Sequence, residues 1–340
     1  MIRIGIICPS EIATRRFLPS LIQLPDFEFV GIAYASKHEW ENANNEVINN
    51  EKNKAQDIIN QYGGELFDSY KSMIASDKID AIYLPLPPAL HFKWAKLALL
   101  SGKHVMIEKP ATISYNDTKE LISIAGKNKL VVHENYMFTF HSQLNAIDNI
   151  INNGTLGQVR LFRLSFGFPR RDAKDFRYNK KLGGGALLDC GGYTLKYASM
   201  LLGETARIVY ANSNFTQDFN VDINGSAALI NESGRTVQIG FGMDNTYKCD
   251  LEVWGSKAHL SSGRVLTAPE DFVPEILIQI GNEIETIKLP SDNAFKKSII
   301  RFQKCVENHT VREENYNEIL KQAKLVNEFL EKTKDTYYGK

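Results

Sequence analysis

Residues 2–36 read IRIGIICPSEIATRRFLPSLIQLPDFEFVGIAYAS. The apolar run at 3–7 predicts a buried strand, the apolar spacing over 10–24 a helix, and 27–34 a second strand. Strand, helix, strand calls for a crossover connection, and a crossover makes the two strands parallel neighbours. The alternation continues outward from there. An Asn-rich polar stretch at 38–61 is expected to be helical, 79–84 a strand, 90–101 a helix, 104–107 a strand, 115–128 a helix and 130–133 a short strand. The expected fold class is α/β: a doubly wound parallel sheet of the Rossmann type over residues 1–130, built to bind a dinucleotide.

The pattern changes near residue 135. Helices are expected at 142–152 and 186–202, but most of 158–289 alternates with period two between Gly- or Asn-bearing turns, as in QVRLFRLSFGF, RTVQIGFGM and YKCDLEVWG. That predicts a C-terminal α+β domain over 131–340, with a large, mostly antiparallel open sheet. Helices at 294–308 and 312–332 close the chain, and the tail to Lys340 is expected to fray. A length of 340 residues agrees with two domains at roughly 150 residues each.

Forty basic residues balance forty acidic ones, which argues against a dedicated nucleic-acid or anionic-membrane surface. Cys8, Cys190, Cys249 and Cys305 are dispersed with no CxxC pair, so neither a disulfide framework nor a structural zinc site is expected. The first residues lack the apolar core of a secretory signal, and no run approaches the ~18 apolar residues of a membrane span. A cytoplasmic protein is expected.

The turn after the first strand reads Cys8-Pro9-Ser10-Glu11-Ile12-Ala13. A dinucleotide fingerprint would place glycine at Cys8 and Ser10; only Ala13 is in pattern, and Pro9 lacks an N–H. Ser10 can still cap the helix, and the first-turn N–H groups of Glu11 and Ile12 favour an anion. The second strand ends at Ala35-Ser36-Lys37, with no acid before Glu39 to hold a ribose 2′-hydroxyl. Ser36 and Lys37 suit a 2′-phosphate, so NADP(H) is expected to be preferred with NAD(H) possible; a solvated loop lysine is the plainer alternative.

Two further stretches carry chemistry: YLPLPPALHFKWAKLALLSGKHVMIEKP at 83–110 and LGGGALLDCGGYTLKYASMLL at 182–202. Glu108-Lys109-Pro110 follows a strand whose end faces the ligand crevice of open α/β folds, where a lysine can polarise a substrate oxygen. Asp189 and Tyr193, four residues apart, share a helix face and can present a carboxylate and a phenol together. With the Rossmann-like start, these stretches resemble the glucose-fructose oxidoreductase/inositol dehydrogenase (Gfo/Idh/MocA) family of NAD(P)-dependent oxidoreductases, over essentially the whole chain. The family pattern also touches Pro87 through His91, His141 and the Asn153 to Gly157 turn.

The resemblance implies that Lys109 contacts the reacting hydroxyl or carbonyl ahead of a cis-proline, and that His91 lies beside the nicotinamide with Pro87, Glu108 and Lys109 on the cofactor side. It implies Lys109, Tyr193 and Asp189 as the catalytic set, and His141 and Arg177 as further substrate contacts. Tyr193 stands where many members have histidine, and Pro88 replaces an asparagine that would contact the cofactor. No metal is expected. The segment PRRDAKDFRYNKK at 169–181 could hold the diphosphate of a sugar nucleotide or be a solvated basic loop.

The expected function is hydride transfer between NADP(H) and a sugar-like carbonyl or alcohol, with a nucleotide-linked keto-sugar as substrate, in a homodimer or homotetramer. A non-catalytic sugar-nucleotide or protein binder, motivated by the altered turn, and a dihydrodiol or free-sugar dehydrogenase are the competing readings.

Overall fold

Six short strands, all but the edge strand at 65–67 buried along most of their length, pair in parallel to form the first sheet. They are β1 (Ile2–Ile7), β2 (Phe27–Ala33), β3 (Glu65–Phe67), β4 (Ala81–Leu84), β5 (His104–Ile107) and β6 (Val132–Glu134), in the order β3-β2-β1-β4-β5-β6. This is the doubly wound order, with its reversal between β1 and β4. The computed structural model describes residues 1–40 and 43–334, so positions 41–42 of the expected 38–61 helix and the tail from 335 lie outside the described residues.

The helices of this sheet are α1 (Leu18–Leu21), α2 (Asn45–Tyr62), α3 (Tyr70–Ala75), α4 (Pro88–Leu100) and α5 (Tyr115–Asn128). A π-helical turn, Ala13–Phe17, precedes α1. Pro19 accounts for it: the ring has no N–H to return to the carbonyl four residues back, so the hydrogen-bond register widens ahead of it. Strand β3 and helix α3 are absent from the sequence reading. Three residues after a Gly-Gly turn give too little periodicity to register. Arg3 fixes the start of the sheet, donating through Nη2 to Asp80 Oδ1 at 2.7 Å and through Nε to Asp80 Oδ2 at 3.0 Å, and this pairing holds the Asp80 carboxyl below its ordinary range.

The second sheet has eight strands: β7 (Val159–Gly167), β8 (Arg207–Phe215), β9 (Asp222–Ile230), β10 (Thr236–Gly242), β11 (Lys248–Gly255), β12 (His259–Gly263), β13 (Glu275–Ile280) and β14 (Glu283–Lys288). Their order is β14-β13-β12-β11-β7-β10-β9-β8, antiparallel except where β10 meets β7. Strand β12, HLSSG, escaped the sequence reading because serine and glycine carry no strand pattern. Helices α6 (Ser142–Asn152) and α7 (Gly192–Leu202) belong with this sheet, and α8 (Ala294–Glu307) and α9 (His309–Thr333) end the described chain.

Strand β9 alternates buried and half-buried residues along its whole length, the signature of a sheet with one face on a core. The other face is open. The strand register carries a single row across it, from Tyr210 through Ala228, Gln238, Arg163, Glu252 and Ser261 to Leu277. Trp254, 58% exposed, stands in the next row opposite Leu161 and His259.

Contacts divide the chain into two compact units. One is Met1–Asn135 with Ser298–Leu320; the other is Tyr136–Lys297 with the chain from Lys321 onward. The first unit therefore takes back a segment of the closing helices, a return that a single cut at 130/131 does not include. Each unit has its own core: Ile82, Leu84, Trp94, Val105 and Ile107 with Ile319 in the first, and Phe162, Leu164, Leu195, Leu251 and Leu260 with Phe329 in the second.

At the start of β5, His104 Nδ1 accepts the Val131 N–H at 3.0 Å. Burial, helped by the charge of Arg312, holds this imidazole down to about 4. An unfolded histidine protonates at about 6.5, so the stability this group contributes is present above that pH and is withdrawn as pH falls toward 4. Chemical unfolding measured between pH 7 and 4.5 should show His104→Asn losing less stability than the parent chain. Equal losses in the two would contradict this assignment.

Candidate active site

In the first unit the site starts at the turn after β1. Cys8 takes φ 85°, the left-handed conformation that the fingerprint normally gives to glycine. The chain therefore makes the tight turn without glycine and tolerates a side chain there. The Cys8 thiol lies at the Tyr70 hydroxyl, and burial pushes it up to about 12, which makes it a poor nucleophile. Ser10 caps the following helix, its Oγ accepting the Ala13 N–H at 3.3 Å and its carbonyl the N–H groups of Ala13 and Thr14. Glu11 and Ile12 are thus the donors at the helix start, where a pyrophosphate is favoured. Glu11 itself pairs with Arg15. Turn, sheet order and helix start together fit a dinucleotide.

The end of β2 departs from expectation. Ser36 donates through its N–H (2.9 Å) and Oγ (3.0 Å) to Glu39, which also accepts the Tyr70 and Lys71 N–H groups at the start of α3. Lys37 Nζ donates to the Ala43 carbonyl. Both side chains expected at a 2′-phosphate are engaged locally and would have to exchange partners to hold one. Glu39, for which the sequence suggested no such role, organises this corner by accepting the first two N–H groups of α3, whose N-cap is Ser69.

At the ends of β4, β5 and β6 the predicted residues converge. Pro87 is the N-cap of α4, and His91 lies on its first turn, fully buried, with Nδ1 2.8 Å from the Pro110 carbonyl and Nε2 2.7 Å from that of Leu86. His91 thus braces the loop that follows Lys109, and burial lowers its pKa to about 4 despite two carbonyl partners. The Lys109-Pro110 bond is cis. Glu108 Oε1 accepts from the Tyr83 hydroxyl and from Asn135 Nδ2, each at 2.7 Å. Burial raises the Glu108 pKa, while those two donors and the Lys109 charge oppose the rise. Glu134 Oε1 accepts the Ala111 N–H at 2.7 Å, fixing the loop from the other side. Tyr83, Asn135 and Glu134 carry no motif, and nothing in the sequence singled them out.

The second unit builds its part around Asp189 and Tyr193. The expected helix at 186–202 starts as a π-helical turn, Leu187–Gly191, that carries Asp189, and continues as α7 with Tyr193 near its start. A wide turn of this kind re-aims a side chain at a functional site. Arg177 Nε donates to Asp189 Oδ2 at 2.7 Å, and its Nη1 to Asp175 Oδ1 at 3.1 Å, with the guanidinium over the Phe176 ring. The two carboxylates raise the Arg177 pKa against the effect of burial. Arg177, expected to touch substrate, is held inside this pair and acts on Asp189.

Gly184 lets the backbones meet, since a Cβ there would lie 2.4 Å from the Arg177 carbonyl oxygen. The Leu187 N–H donates to Asp222 Oδ2 at 2.6 Å, and burial pushes the Asp222 carboxyl up to about 6. Tyr193 stands in an aromatic cluster, edge-on to Tyr136 and Phe166 with centroids at 5.2 and 5.3 Å, and near Phe138. His141 caps α6, its Nδ1 accepting the Gln143 N–H at 3.1 Å; Nε2 therefore carries the proton, and burial lowers the pKa of the ring.

In the basic segment, Arg170 pairs with Asp218 at 3.1 Å and Arg171 lies over Phe168. Among the described residues no group of three or more His, Cys, Asp or Glu is placed to hold a metal, and no helix is long and apolar enough to cross a membrane.

The family model for an oxidoreductase family with an NAD-binding Rossmann fold matches residues 2–136, and a GFO/IDH/MocA C-terminal domain model matches residues 144–261. A dTDP-3,4-didehydro-2,6-dideoxy-alpha-D-glucose 3-reductase of Actinomadura kijaniata is 34% identical over 337 residues, 99% of this chain and 97% of its own length. A 3-reductase of the same name from Saccharopolyspora spinosa is 30% identical over 90% of this chain and 87% of its own. Among solved structures, the 3-ketoreductase KijD10 of Actinomadura kijaniata, in complex with NADP and TDP-benzene, superposes with a TM-score of 0.88 at 34% identity, covering 96% of each chain.

Gly192 gives this part a test that needs no substrate. A Cβ there would lie 2.3 Å from Tyr136 Oη, and Tyr136 is buried, with Gln322 against its hydroxyl. Gly→Ala in a helix ordinarily stabilises by up to about 1 kcal/mol. Gly192→Ala should reverse that sign and destabilise by about 1–3 kcal/mol in urea unfolding. A stabilised variant would show that the aromatic cluster yields easily.

Proposed function

We propose that this chain, which belongs to the GFO/IDH/MocA oxidoreductase family, uses NADP(H) to reduce the 3-keto group of a dTDP-linked deoxy-keto-sugar. One observation carries the reading. Solved variants of KijD10 replace a lysine (by alanine or glutamate) and a tyrosine (by phenylalanine), and those two residues are separated by the same number of positions as Lys109 and Tyr193 here. The chain thus keeps a Lys/Tyr pair at that spacing within a nearly full-length likeness to 3-reductases.

The nicotinamide, when bound, supplies the hydride; Cys8, Ser10, Glu11 and Ile12 would hold its pyrophosphate, Ser36 and Lys37 its 2′-phosphate, and Pro87, His91 and Glu108 the surroundings of the ring. Lys109 donates to the carbonyl oxygen and stabilises the charge that develops on it. Tyr193 gives the proton to that oxygen. Asp189, its carboxylate set by Arg177, orients the substrate. With Arg177 engaged, the diphosphate falls to exposed cations of the 169–181 segment such as Arg171. Free thiols at all four cysteines suit a cytoplasmic enzyme.

The open sheet face, with Trp254 and Leu277 exposed, supports a second copy of the chain as partner, in a homodimer or homotetramer. Trp254→Lys should shift the assembly toward monomer in analytical ultracentrifugation; an unchanged sedimentation coefficient would place the interface elsewhere.

The catalytic assignment is tested by following NADPH oxidation with a dTDP-linked 3-keto-sugar. Lys109→Ala and Tyr193→Phe should each lower kcat/KM by roughly 100- to 10,000-fold, and NADPH should be used in preference to NADH. Unchanged turnover in both variants would remove the assignment.

A further inference from the structure

Behind Glu108, a string of buried polar side chains runs through the first unit to the closing helices, and its hydrogen bonds allow a count of protons. The Val132 carbonyl can only accept, so Asn315 turns its amide nitrogen to it at 2.7 Å and its oxygen to His133 Nδ1 at 2.9 Å. At the other end, Glu108 Oε1 accepts from Asn135 Nδ2, which leaves Asn135 Oδ1 to accept from Ser298 Oγ at 2.7 Å. A hydroxyl has one proton to give. Having given it to Asn135, Ser298 Oγ meets His133 Nε2 at 2.9 Å as an acceptor.

Both ring nitrogens of His133 therefore face acceptors, which only the doubly protonated ring can serve together; His91 also faces two acceptors, but they are uncharged carbonyls, whereas His133 is linked through Ser298 and Asn135 to a carboxylate. His133, Asn135, Ser298 and Asn315 are all buried, so water does not replace a missing partner. A buried cation persists only when its protons are accepted and a counter-charge is linked to it; here both protons are accepted and the string of hydrogen bonds ends on a carboxylate.

We propose that His133 is an imidazolium in the folded protein and is a positioning residue: through Ser298 and Asn135 it holds Glu108 ionised and oriented beside Lys109. The second half of this rests on the reading of Lys109 as the group that polarises the substrate. The surroundings of the ring agree. On β6, Val132 and Glu134 point to the opposite face from His133. Helix α8 brings Ser298 and the Phe302 ring, centroid at 6.3 Å. Helix α9 brings Asn315, while its Arg312 donates to the Cys305 and Val306 carbonyls and its Tyr316 to that of Leu130. The reverse arrangement, with the proton on Glu108 and both Asn135 and Ser298 turned round, would leave the ring neutral and only Tyr83 donating to Glu108 Oε1. Two donors at 2.7 Å on one oxygen are instead the environment of a carboxylate.

Nitrogen-15 NMR of the histidine-labelled chain without ligands reads the first half directly. The His133 signals, identified by their loss in His133→Asn or by Overhauser contacts to Phe302 should that variant not fold, should show both ring nitrogens protonated at pH 8. One unprotonated ring nitrogen at that pH overturns the proposal. In Ser298→Ala the ring should become neutral, while Ser298→Thr, which keeps the hydroxyl, should retain the charge.

The positioning role is read from turnover. With the imidazolium lost, Glu108 takes up its proton at higher pH, so the acid limb of kcat/KM should move upward in Ser298→Ala and stay in place in Ser298→Thr. Equal profiles for the two variants overturn it. A chain that shows the imidazolium yet reduces no keto-sugar would leave the charge in place and remove the functional reading, so the two failures are distinguishable.

Discussion

Two hydrogen bonds on one carboxylate oxygen hold the working edge of the first sheet together. Tyr83 lies on β4, Glu108 follows β5 and Asn135 follows β6, so the convergence of Tyr83 and Asn135 on Glu108 Oε1 ties three neighbouring strand ends at the edge where an open α/β fold binds its ligand. The next residue is Lys109. Its backbone is fixed from behind by this knot and from ahead by the cis-Pro110 loop, which His91 and Glu134 anchor through backbone groups. A lysine is a flexible point charge, and positioning its main chain on both sides is how a fold restricts where that charge can go.

The second unit follows the same rule with different materials. A π-helical turn re-aims Asp189, Arg177 holds its carboxylate, and the close approach at Gly184 lets the segment bearing Arg177 reach it. Tyr193 is set by aromatic rings rather than by charge. Polar partners thus fix the acids, and packing fixes the phenol. The charge balance of the chain hides this arrangement, because a cation such as Arg177 is matched locally by its own carboxylates, Asp175 and Asp189.

Much of the fold was legible because its signals are long and periodic. The parallel strands are apolar runs separated by helix-length segments, and the second sheet alternates with period two. What escaped was short or chemically neutral: β3 with three residues, β12 with serines and glycine, and π-helical turns that no periodicity announces. The candidate site divided along the same line. Lys109, Asp189 and Tyr193 sit in motifs, whereas Tyr83, Asn135 and Ser298 act through contacts up to 165 residues apart in the chain, and such contacts leave no local pattern. Two expectations met competing partners. Ser36 and Lys37 serve Glu39 and the Ala43 carbonyl, and Arg177 serves two carboxylates, because a polar group in a folded corner bonds the nearest partner whatever its motif suggests.

With Lys109 as the polarising group, hydride is delivered to a keto-sugar carbon at the end of β5. The most direct test of this delivery uses NADPH carrying deuterium at the transferable position of the nicotinamide, incubated with the protein and a dTDP-linked 3-keto-sugar, with the product analysed by NMR. One deuterium should appear at carbon 3 of the sugar, beside a newly formed hydroxyl. Label retained in the cofactor, or found at another carbon, would contradict it.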